Sequence, residues 1–224
     1  MREVVLDTET TGLDPASGHR VVEIGCLELV NRIATGRTFH HYLDPERDIP
    51  PEATEIHGIT AATVAGKPVF ADVAGDLLAF LADSALVIHN AAFDLGFLNA
   101  ELARIERPQI PARRAVDTVQ IARRKFPGAP ASLDALCRRF AIDNSARTLH
   151  GALLDAELLA EVYVELIGGR QAGLELVAGA AQAEALAPAD ALPVRPPRAH
   201  APSEAERQAH EAFIDTLPNA LWRL

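Results

Sequence analysis

Apolar and polar residues alternate along the first part of the chain in a way that predicts three consecutive strands. The segment 3–8 is rich in Val and is typical of a buried strand. Turn-forming residues over 11–18 separate it from two further apolar segments, 21–30 and 37–43. Together these segments predict an antiparallel meander, and the Pro-Pro pair that follows predicts an irregular connection over 50–58.

Strand and helix signals alternate in the next region. Apolar residues recur at helical spacing over 69–82, and a Gly pair at 168–169 marks the expected end of the last helix. Between them, the pattern predicts short strands at 85–89 and ending at Val116, and helices near 93–105, 118–125, 132–140 and 151–167. Three strands followed by alternating strands and helices predict an α/β fold, a mixed sheet with helices on its faces.

Composition and charge narrow the function classes. Apolar residues make up 49% of the 224 residues, enough for a sizeable core, and the formal net charge is −10. That charge argues against a protein that coats phosphates with a basic surface, but it permits a nuclease whose metal site needs clustered carboxylates. Cys26 and Cys137 lack metal-type spacing and are predicted to be free, buried thiols. Without a signal-peptide pattern or a long apolar run, a cytoplasmic location is expected.

The composition changes after the last predicted helix. Residues 177–202 are mostly Ala and Pro with few large apolar side chains, which predicts a flexible linker. Ser203 and Glu206 have the spacing of a capping box, so order is expected to return over 203–224. The predicted organisation is therefore a domain of residues 1–176, the linker and a C-terminal tail.

Four acids and one histidine are the candidates for chemistry. Asp7 and Glu9 are two apart on the first strand, so both carboxylates leave the same face. Such a pair is unfavourable unless a cation neutralises it; the alternative is a solvated strand end. Asp94 follows a strand and opens a helix, where α/β sheets gather ligands, although helix capping is the alternative. His150 and Asp155 begin the last predicted helix, where a buried Asp needs a cation or other partners.

These five residues can act together in one reaction, the metal-assisted hydrolysis of a phosphodiester. Hard divalent ions prefer the oxygen ligands that Asp and Glu supply. Two such ions can hold the attacking and the leaving oxygen of a phosphodiester. A neighbouring histidine can accept the proton of the attacking water near neutral pH, whereas a lone histidine is more often structural.

The segments that carry these residues resemble the three motifs of the DEDDh exonucleases. They are Asp7-Thr8-Glu9-Thr10-Thr11-Gly12, His89-Asn90-Ala91-Ala92-Phe93-Asp94 and His150-Gly151-Ala152-Leu153-Leu154-Asp155. Segments 132–137 and 142–150, with the end of the chain, are similar to one branch of that family, the epsilon proofreading subunits of bacterial DNA polymerase III. The resemblance implies a ribonuclease-H-like fold, 3′→5′ removal of nucleoside monophosphates from DNA, and two Mg²⁺ or Mn²⁺ ions.

The resemblance also implies a role for each residue. The metal-binding acids would be Asp7 (bridging both ions), Glu9, Asp94 and Asp155, and the general base would be His150. Glu52 would meet the 3′-hydroxyl of the terminal nucleotide and His57 its sugar or base; without the family, both are polar loop residues. Other substrate contacts would come from Asp7, Thr8, Glu9, Asn90, Phe93 and Asp155.

Three further segments predict contacts with partners. Between Arg104 and Arg139, nine basic residues stand against three acids, which indicates either the path of single-stranded DNA or a solvated helical face. A peptide similar to those that bacterial sliding clamps (beta) accept has as anchors Gln171, Leu174 and Leu176; the alternative is a fraying helix end. The tail residues that, by resemblance, would bind the polymerase's catalytic (alpha) subunit are Phe213, Leu217, Leu221 and Trp222.

Two other functions fit part of the sequence. A DEDDh-family exoribonuclease acting on RNA or short oligonucleotides would need the same acids, since these bind phosphate and metal; the linker and tail favour polymerase attachment. A nuclease-like binding module is expected to have lost one of the acids, and none of them is missing.

Overall fold

A mixed sheet lies at the centre of the computed structural model, which describes residues 1–145, 147, 149–169 and 201–217. The strands are β1 (Arg2–Thr10), β2 (Val21–Val30), β3 (Ile33–Tyr42), β4 (Ala85–Ile88) and β5 (Ala115–Asp117). Their order is β3-β2-β1-β4-β5; β1, β2 and β3 are antiparallel neighbours, and β4 and β5 run parallel to β1. The predicted meander and mixed sheet are confirmed.

Helices occupy the remaining regular segments. In chain order they are α1 (Pro51–His57), α2 (Ala61–Val64), α3 (Phe70–Leu81), α4 (Ala91–Arg104), α5 (Thr118–Lys125), α6 (Leu133–Phe140), α7 (Ala152–Leu166) and α8 (Glu204–Asp215). Helices α3 to α7 begin and end within about two residues of the predicted bounds, because their apolar stripes and caps are local signals. Residue contacts group the chain into two units, 1–174 and 175–224, and the sheet belongs to the first.

The prediction of an irregular connection over 50–58 is wrong, because α1 forms there. Pro51 is the first residue of the helix, where its missing N–H leaves no hydrogen bond unmade. Gly58 ends the helix in the left-handed conformation, with φ of 72°, and donates its N–H to the Thr54 carbonyl. The helix places His57 in a buried position.

The third strand begins at Ile33, earlier than the predicted residue 37. Asn31 and Arg32 have φ of 51° and 67°, and this two-residue turn pairs Val30 directly with Ile33. Hairpin turns of this kind are usually signalled by Asn-Gly or Asp-Gly, and arginine in the second position conceals the turn in the sequence.

Alternation along β1 decides which side chains face which helices. Val4 and Leu6 belong to the apolar core that includes side chains of α3 and α4. Val5 belongs to the second core, which includes side chains of α5, α6 and α7. Asp7 and Glu9 share the parity of Val5, so their side chains leave the sheet on the α7 side.

Part of the C-terminal prediction can be compared with the structure. Ser203 and Glu206 form the predicted capping box at the start of α8, and Phe213 is 61% exposed. The predicted contact residues that lie outside the described residues are Gln171, Leu174, Leu176, Leu221 and Trp222. Most of the predicted linker also lies outside them.

Cys26 and Cys137 are both buried, and neither takes part in a disulfide, as predicted.

Within the described ranges, every helix is too short or too polar to cross a membrane.

Candidate active site

The structure brings the predicted metal ligands and the histidine into one cluster. Asp7 and Glu9 lie near the end of β1, Asp94 in the first turn of α4 and Asp155 in the first turn of α7. Burial, and then the charges of the other three carboxylates, raise the pKa of Asp7 well above its usual range. Ligand atoms of Glu9, His150 and Asp155 lie within 4.8 Å of one another.

The position of Asp94 depends on a left-handed residue and on a threonine. Asn90 has φ of 69°, which lets β4 lead directly into α4. Asp94 is buried and accepts a hydrogen bond from Thr8 Oγ1 at 2.7 Å. Thr8 is itself buried, and its hydroxyl is engaged by this carboxylate. Thr8 therefore orients Asp94.

The first turn of α7 approaches the sheet closely beside Asp7. Gly25 on β2 pairs with Asp7, and a Cβ added at Gly25 would lie 2.3 Å from the Ala152 backbone. The Ala152 N–H donates to Glu23 Oε2 at 3.1 Å. Because Gly151 has no side chain to cap the helix, Glu23 takes that role. The sequence analysis missed Glu23, whose signal is an acid inside the apolar second strand.

Arg147 is a second residue that the sequence analysis missed. Its guanidinium donates to both oxygens of Asp155, with Nη2 2.7 Å from Oδ2. It also donates from Nη1 to Asp134 at 2.8 Å and from Nη2 to His150 Nδ1 at 2.8 Å. Burial alone would raise the pKa of Asp155, but the hydrogen bonds and the charge of Arg147 hold it below its usual range. A loop arginine gives no local signal of such contacts.

The other buried carboxylates have pKa values shifted in the opposite direction. Burial chiefly raises the pKa of Glu9 to about 8, and repulsion from Asp155 and Glu23 adds to the effect. Burial also raises the pKa of Asp94 to about 7, although the Thr8 hydrogen bond opposes it. This side of the cluster holds more negative charge than the nearby cations neutralise.

The residues present fit a divalent metal site. Three of the four acids have raised pKa values, and all of them offer oxygen ligands, which hard divalent ions prefer. Across the described part of the chain, Arg147 is the one Lys or Arg that forms an ion pair with any of these four acids. A divalent cation would supply the missing positive charge.

A cavity of about 490 Å³ lies beside the acids and is lined by three further predicted substrate residues, Glu52, His57 and Phe93, whereas Asn90 is not part of its lining. Its lining comes from the end of β1, the turn that follows, α1 and the start of α4; it includes Glu9, Thr10, Leu13, Glu52, His57 and Phe93. The lining is mostly apolar, and Leu13 is 82% exposed at this turn. A flat, largely apolar group with a few polar atoms, such as a nucleoside, suits such a cavity.

His57 presents an unpaired hydrogen-bond donor in this cavity. The Ile59 N–H donates to His57 Nδ1 at 3.0 Å, so the ring proton lies on Nε2. Burial lowers the pKa of His57, which favours this neutral ring. Nε2 is buried and makes no hydrogen bond of good geometry within the described ranges; the Thr10 backbone beside the ring partly offsets the lowering of its pKa, so a ligand oxygen would compete with Thr10 for this donor.

Several of the basic residues between Arg104 and Arg139 make contacts within the protein. Lys125 donates to backbone carbonyls at the end of α7, and Arg114 to carbonyls just before β4. Arg139 lies over an aromatic ring at 4.3 Å. Arg138, by contrast, lines a polar cavity together with groups of the active site. These contacts favour a structural role for Lys125, Arg114 and Arg139.

Comparisons with known sequences agree on the type of enzyme. Residues 4–163 match the exonuclease family. The chain is 50% identical over 222 residues to the DNA polymerase III subunit epsilon of Rickettsia prowazekii (strain Madrid E), covering 97% of each chain. It is 43% identical over 237 aligned positions to the subunit of the same name from Escherichia coli (strain K12), covering 99% of this chain and 97% of that one.

Comparisons with solved structures confirm the predicted ribonuclease-H-like fold. Exonuclease X in complex with 5′ overhanging duplex DNA aligns with a TM-score of 0.58 at 29% identity, covering 74% of this chain and 90% of that one. The nuclease domain of 3′hExo, a DEDDh family member bound to rAMP, aligns with a TM-score of 0.64, covering 74% of this chain and 91% of that one. At 18% identity, the second likeness shows the fold alone.

Proposed function

Because the chain belongs to the exonuclease family and, within it, to the DNA polymerase III epsilon subunits, we propose that it is a metal-dependent 3′→5′ proofreading exonuclease. It would remove nucleoside monophosphates from the 3′ end of a DNA strand. The observation that carries this proposal is the cluster of buried carboxylates with raised pKa values beside His150 and a nucleoside-sized cavity.

We propose two Mg²⁺ or Mn²⁺ ions as the cofactor, held by Asp7, Glu9, Asp94 and Asp155. When bound, such ions activate the water nucleophile and stabilise the charge on the departing 3′-oxygen. Asp7 is the ligand best placed to be shared, since the charges of the other three acids all act on it. Thr8 and Glu23 would keep two of the ligand-bearing elements in place through their hydrogen bonds.

His150 is the general base in this proposal. Its side chain is 47% exposed, and Nδ1 lies 3.3 Å from Asp155 Oδ2. That position allows the ring to take a proton from the attacking water beside the acids and to release it to solvent. Other histidines near the site are more buried; His57, for example, is neutral and already accepts a hydrogen bond from a backbone N–H.

The cavity beside the acids would hold the terminal nucleotide. Its 3′-hydroxyl needs an acceptor, and the exposed carboxylate of Glu52 offers one. The unpaired Nε2–H of His57 would donate to an oxygen of the sugar or base. Phe93 is half-buried, packs on Phe97 at a centroid distance of 5.0 Å and offers an aromatic surface to the base. A lesser contact would come from Asn90, which is exposed.

DNA is favoured over RNA as the substrate. The relatives named for DNA polymerase III align over nearly the whole chain, including the predicted linker and tail. The acids themselves would serve either nucleic acid, so the exoribonuclease alternative depends on the catalytic site alone and is not favoured.

We also propose two attachment points in the replication machinery. The tail would bind the polymerase catalytic (alpha) subunit, and Phe213 and Leu217 of this segment are exposed apolar residues. The segment that begins at Gln171 would bind the sliding clamp (beta). Both proposals are supported by sequence similarity and by the apolar character of the segments.

A primer-degradation assay tests the proposed function. The full chain should shorten a 5′-labelled single-stranded DNA in single-nucleotide steps with Mg²⁺ or Mn²⁺, and chelation should stop the reaction. A matched ribo-oligonucleotide should be degraded more slowly, and a mismatched primer end should be removed faster than a paired one. Activity that survives chelation, or a preference for the ribo-oligonucleotide, would contradict the proposal.

A further inference from the structure

Arg147 forms hydrogen bonds with two groups that the proposed reaction needs, the Asp155 carboxylate and the His150 ring. Its guanidinium is only 8% exposed and donates to both carboxylate oxygens of Asp155. A carboxylate engaged in this bidentate way has its best lone pairs directed at the guanidinium, so it is a poor ligand for a metal ion until the pair opens.

The same guanidinium also engages the proposed base. Nη2 of Arg147 lies 2.8 Å from His150 Nδ1. An arginine side chain keeps its protons, so Nδ1 must accept this hydrogen bond, and the neutral ring carries its proton on Nε2. In that state neither ring nitrogen is free to accept a proton from water. The 3.3 Å contact from Nδ1 to Asp155 is then a close approach and not a donated hydrogen bond.

Asp134 holds Arg147 from outside the acid cluster. It lies on α6, accepts from Arg147 Nη1 at 2.8 Å and also accepts from Asn144 Nδ2 at 3.0 Å. Asp134 is 45% exposed and belongs to none of the proposed ligands. Arg147 can therefore lose its contacts with Asp155 and keep a carboxylate partner, which lowers the free energy needed to open the pair.

We propose that Arg147 is a latch, formed with Asp134, Asp155 and His150, that competes with a divalent ion for Asp155 and with the attacking water for His150. If a divalent ion binds Asp155, the guanidinium would leave this carboxylate and at the same time free His150 Nδ1. Metal loading and availability of the base are coupled through one side chain. The inference depends on the proposed metal site, because only a metal that binds Asp155 can open the latch.

Direct Mn²⁺ binding to the DNA-free protein tests the competition. Arg147→Gln removes a positive charge from beside the ligands, and the loss of Coulomb repulsion at such short range is worth about tenfold or more in affinity for a divalent ion. Electron paramagnetic resonance of free Mn²⁺, or calorimetric titration, should therefore show tighter binding by the variant. Arg37→Gln is the matched control: it also removes an arginine–carboxylate pair, with Glu28, on an exposed edge of the sheet, and should leave the affinity unchanged.

Three outcomes of the titration are distinguishable. Tighter binding by Arg147→Gln alone supports the latch. Equal or weaker binding by a folded Arg147→Gln shows that Arg147 builds the site and does not block it, which overturns the inference. Failure of the wild-type chain to bind Mn²⁺ at all would overturn the proposed metal site itself.

A measurement on the wild-type chain covers the case in which Arg147→Gln does not fold. Long-range ¹H–¹⁵N spectra report the state of the His150 ring, whose signals can be assigned with His150→Gln. The metal-free ring should show a protonated Nε2 and a hydrogen-bonded Nδ1, and saturating Mg²⁺ should remove the hydrogen bond to Nδ1. Ring signals that do not change while Mg²⁺ binds would overturn the coupling.

Discussion

The acid cluster has two sides, defined by the elements that carry the acids: Asp7, Glu9 and Asp94 come from β1 and α4, and Asp155 comes from α7. The two sides use the same residue types in opposite electrostatic states. On the β1 and α4 side, burial raises the pKa of Glu9 to about 8 and that of Asp94 to about 7. On the α7 side, the hydrogen bonds and the charge of Arg147 outweigh burial and hold the pKa of Asp155 below its usual range. The difference shows that burial by itself does not determine the charge of a carboxylate; a cation within hydrogen-bonding distance does.

The two sides therefore differ in the positive charge that is available to neutralise their carboxylates. The β1 and α4 side lacks positive charge until a metal binds. The α7 side already has a cation, which must move for a metal to bind.

Asp7→Ala should have the largest effect and reduce exonuclease activity to background, below about 1% of wild type, because a shared metal ligand is lost. The fold should remain, since removing one of several repelling carboxylates relieves the cluster. The melting temperature without metal should therefore stay level or rise. Asp83→Asn, which changes an exposed acid away from the site, should leave activity unchanged. Activity above a few per cent in Asp7→Ala would refute the metal assignment.

His150→Ala should slow turnover by roughly 10²–10⁴, the usual range for loss of a general base. Mn²⁺ affinity should change much less, because the carboxylates remain. Single-turnover cleavage of labelled DNA and direct Mn²⁺ titration separate the two quantities. His41→Ala, which removes a histidine that packs on Phe39 outside the site, serves as the control. If His150→Ala matches the parent at neutral pH, another group accepts the proton.

The stability of the metal-free protein should fall as the pH rises from about 4.5 to about 8. In this window the unfolded Glu9 has lost its proton and the folded Glu9 still keeps it, so the folded state binds more protons. The free energy of unfolding then decreases by about 1.4 kcal/mol per pH unit for this group. Asp94 contributes in the same direction between its usual 3.8 and about 7. Asp155, whose pKa is lowered, loses its stabilising contribution only at more acidic pH.

Denaturant titration with chelator, at several pH values across this window, measures the effect. Glu9→Gln should show a flatter dependence than the wild type, and the difference between the two curves isolates Glu9 from the histidines. Saturating Mg²⁺ should flatten the wild-type curve as well. Parallel curves for the wild type and Glu9→Gln would show that Glu9 is not held protonated.

Deletion of residues 177–224 should have the smallest effect on catalysis. Both sides of the acid cluster lie on residues that precede this segment, so single-stranded DNA should be digested at close to the wild-type rate. Binding to the polymerase catalytic subunit, measured by calorimetric titration, should be lost. Equal affinity of the two proteins would place the attachment surface on the catalytic domain, and an inactive truncated protein would mean that the domain boundary is wrong.

Several elements could be predicted because their signals are local. The strand over 21–30 follows from a segment rich in apolar residues, and α3 to α7 follow from apolar spacing and capping residues. The spacing of Asp7 and Glu9 was sufficient to place both carboxylates on one face. The errors were local too: α1 begins at a proline pair that also suits an irregular connection, and the turn at Asn31 and Arg32 lacks glycine.

Residue type and strand or helix periodicity are properties of short segments, so the chain's sequence was enough to select the candidate metal and nucleotide ligands. Their charge states and partners depend on tertiary packing. Glu23 caps a helix whose first residue, Ala152, is 129 positions away, and Arg147 meets both Asp134 and Asp155. Such contacts depend on how distant segments pack, and burial together with distance sets the pKa of each acid, so no short pattern of residues encodes them.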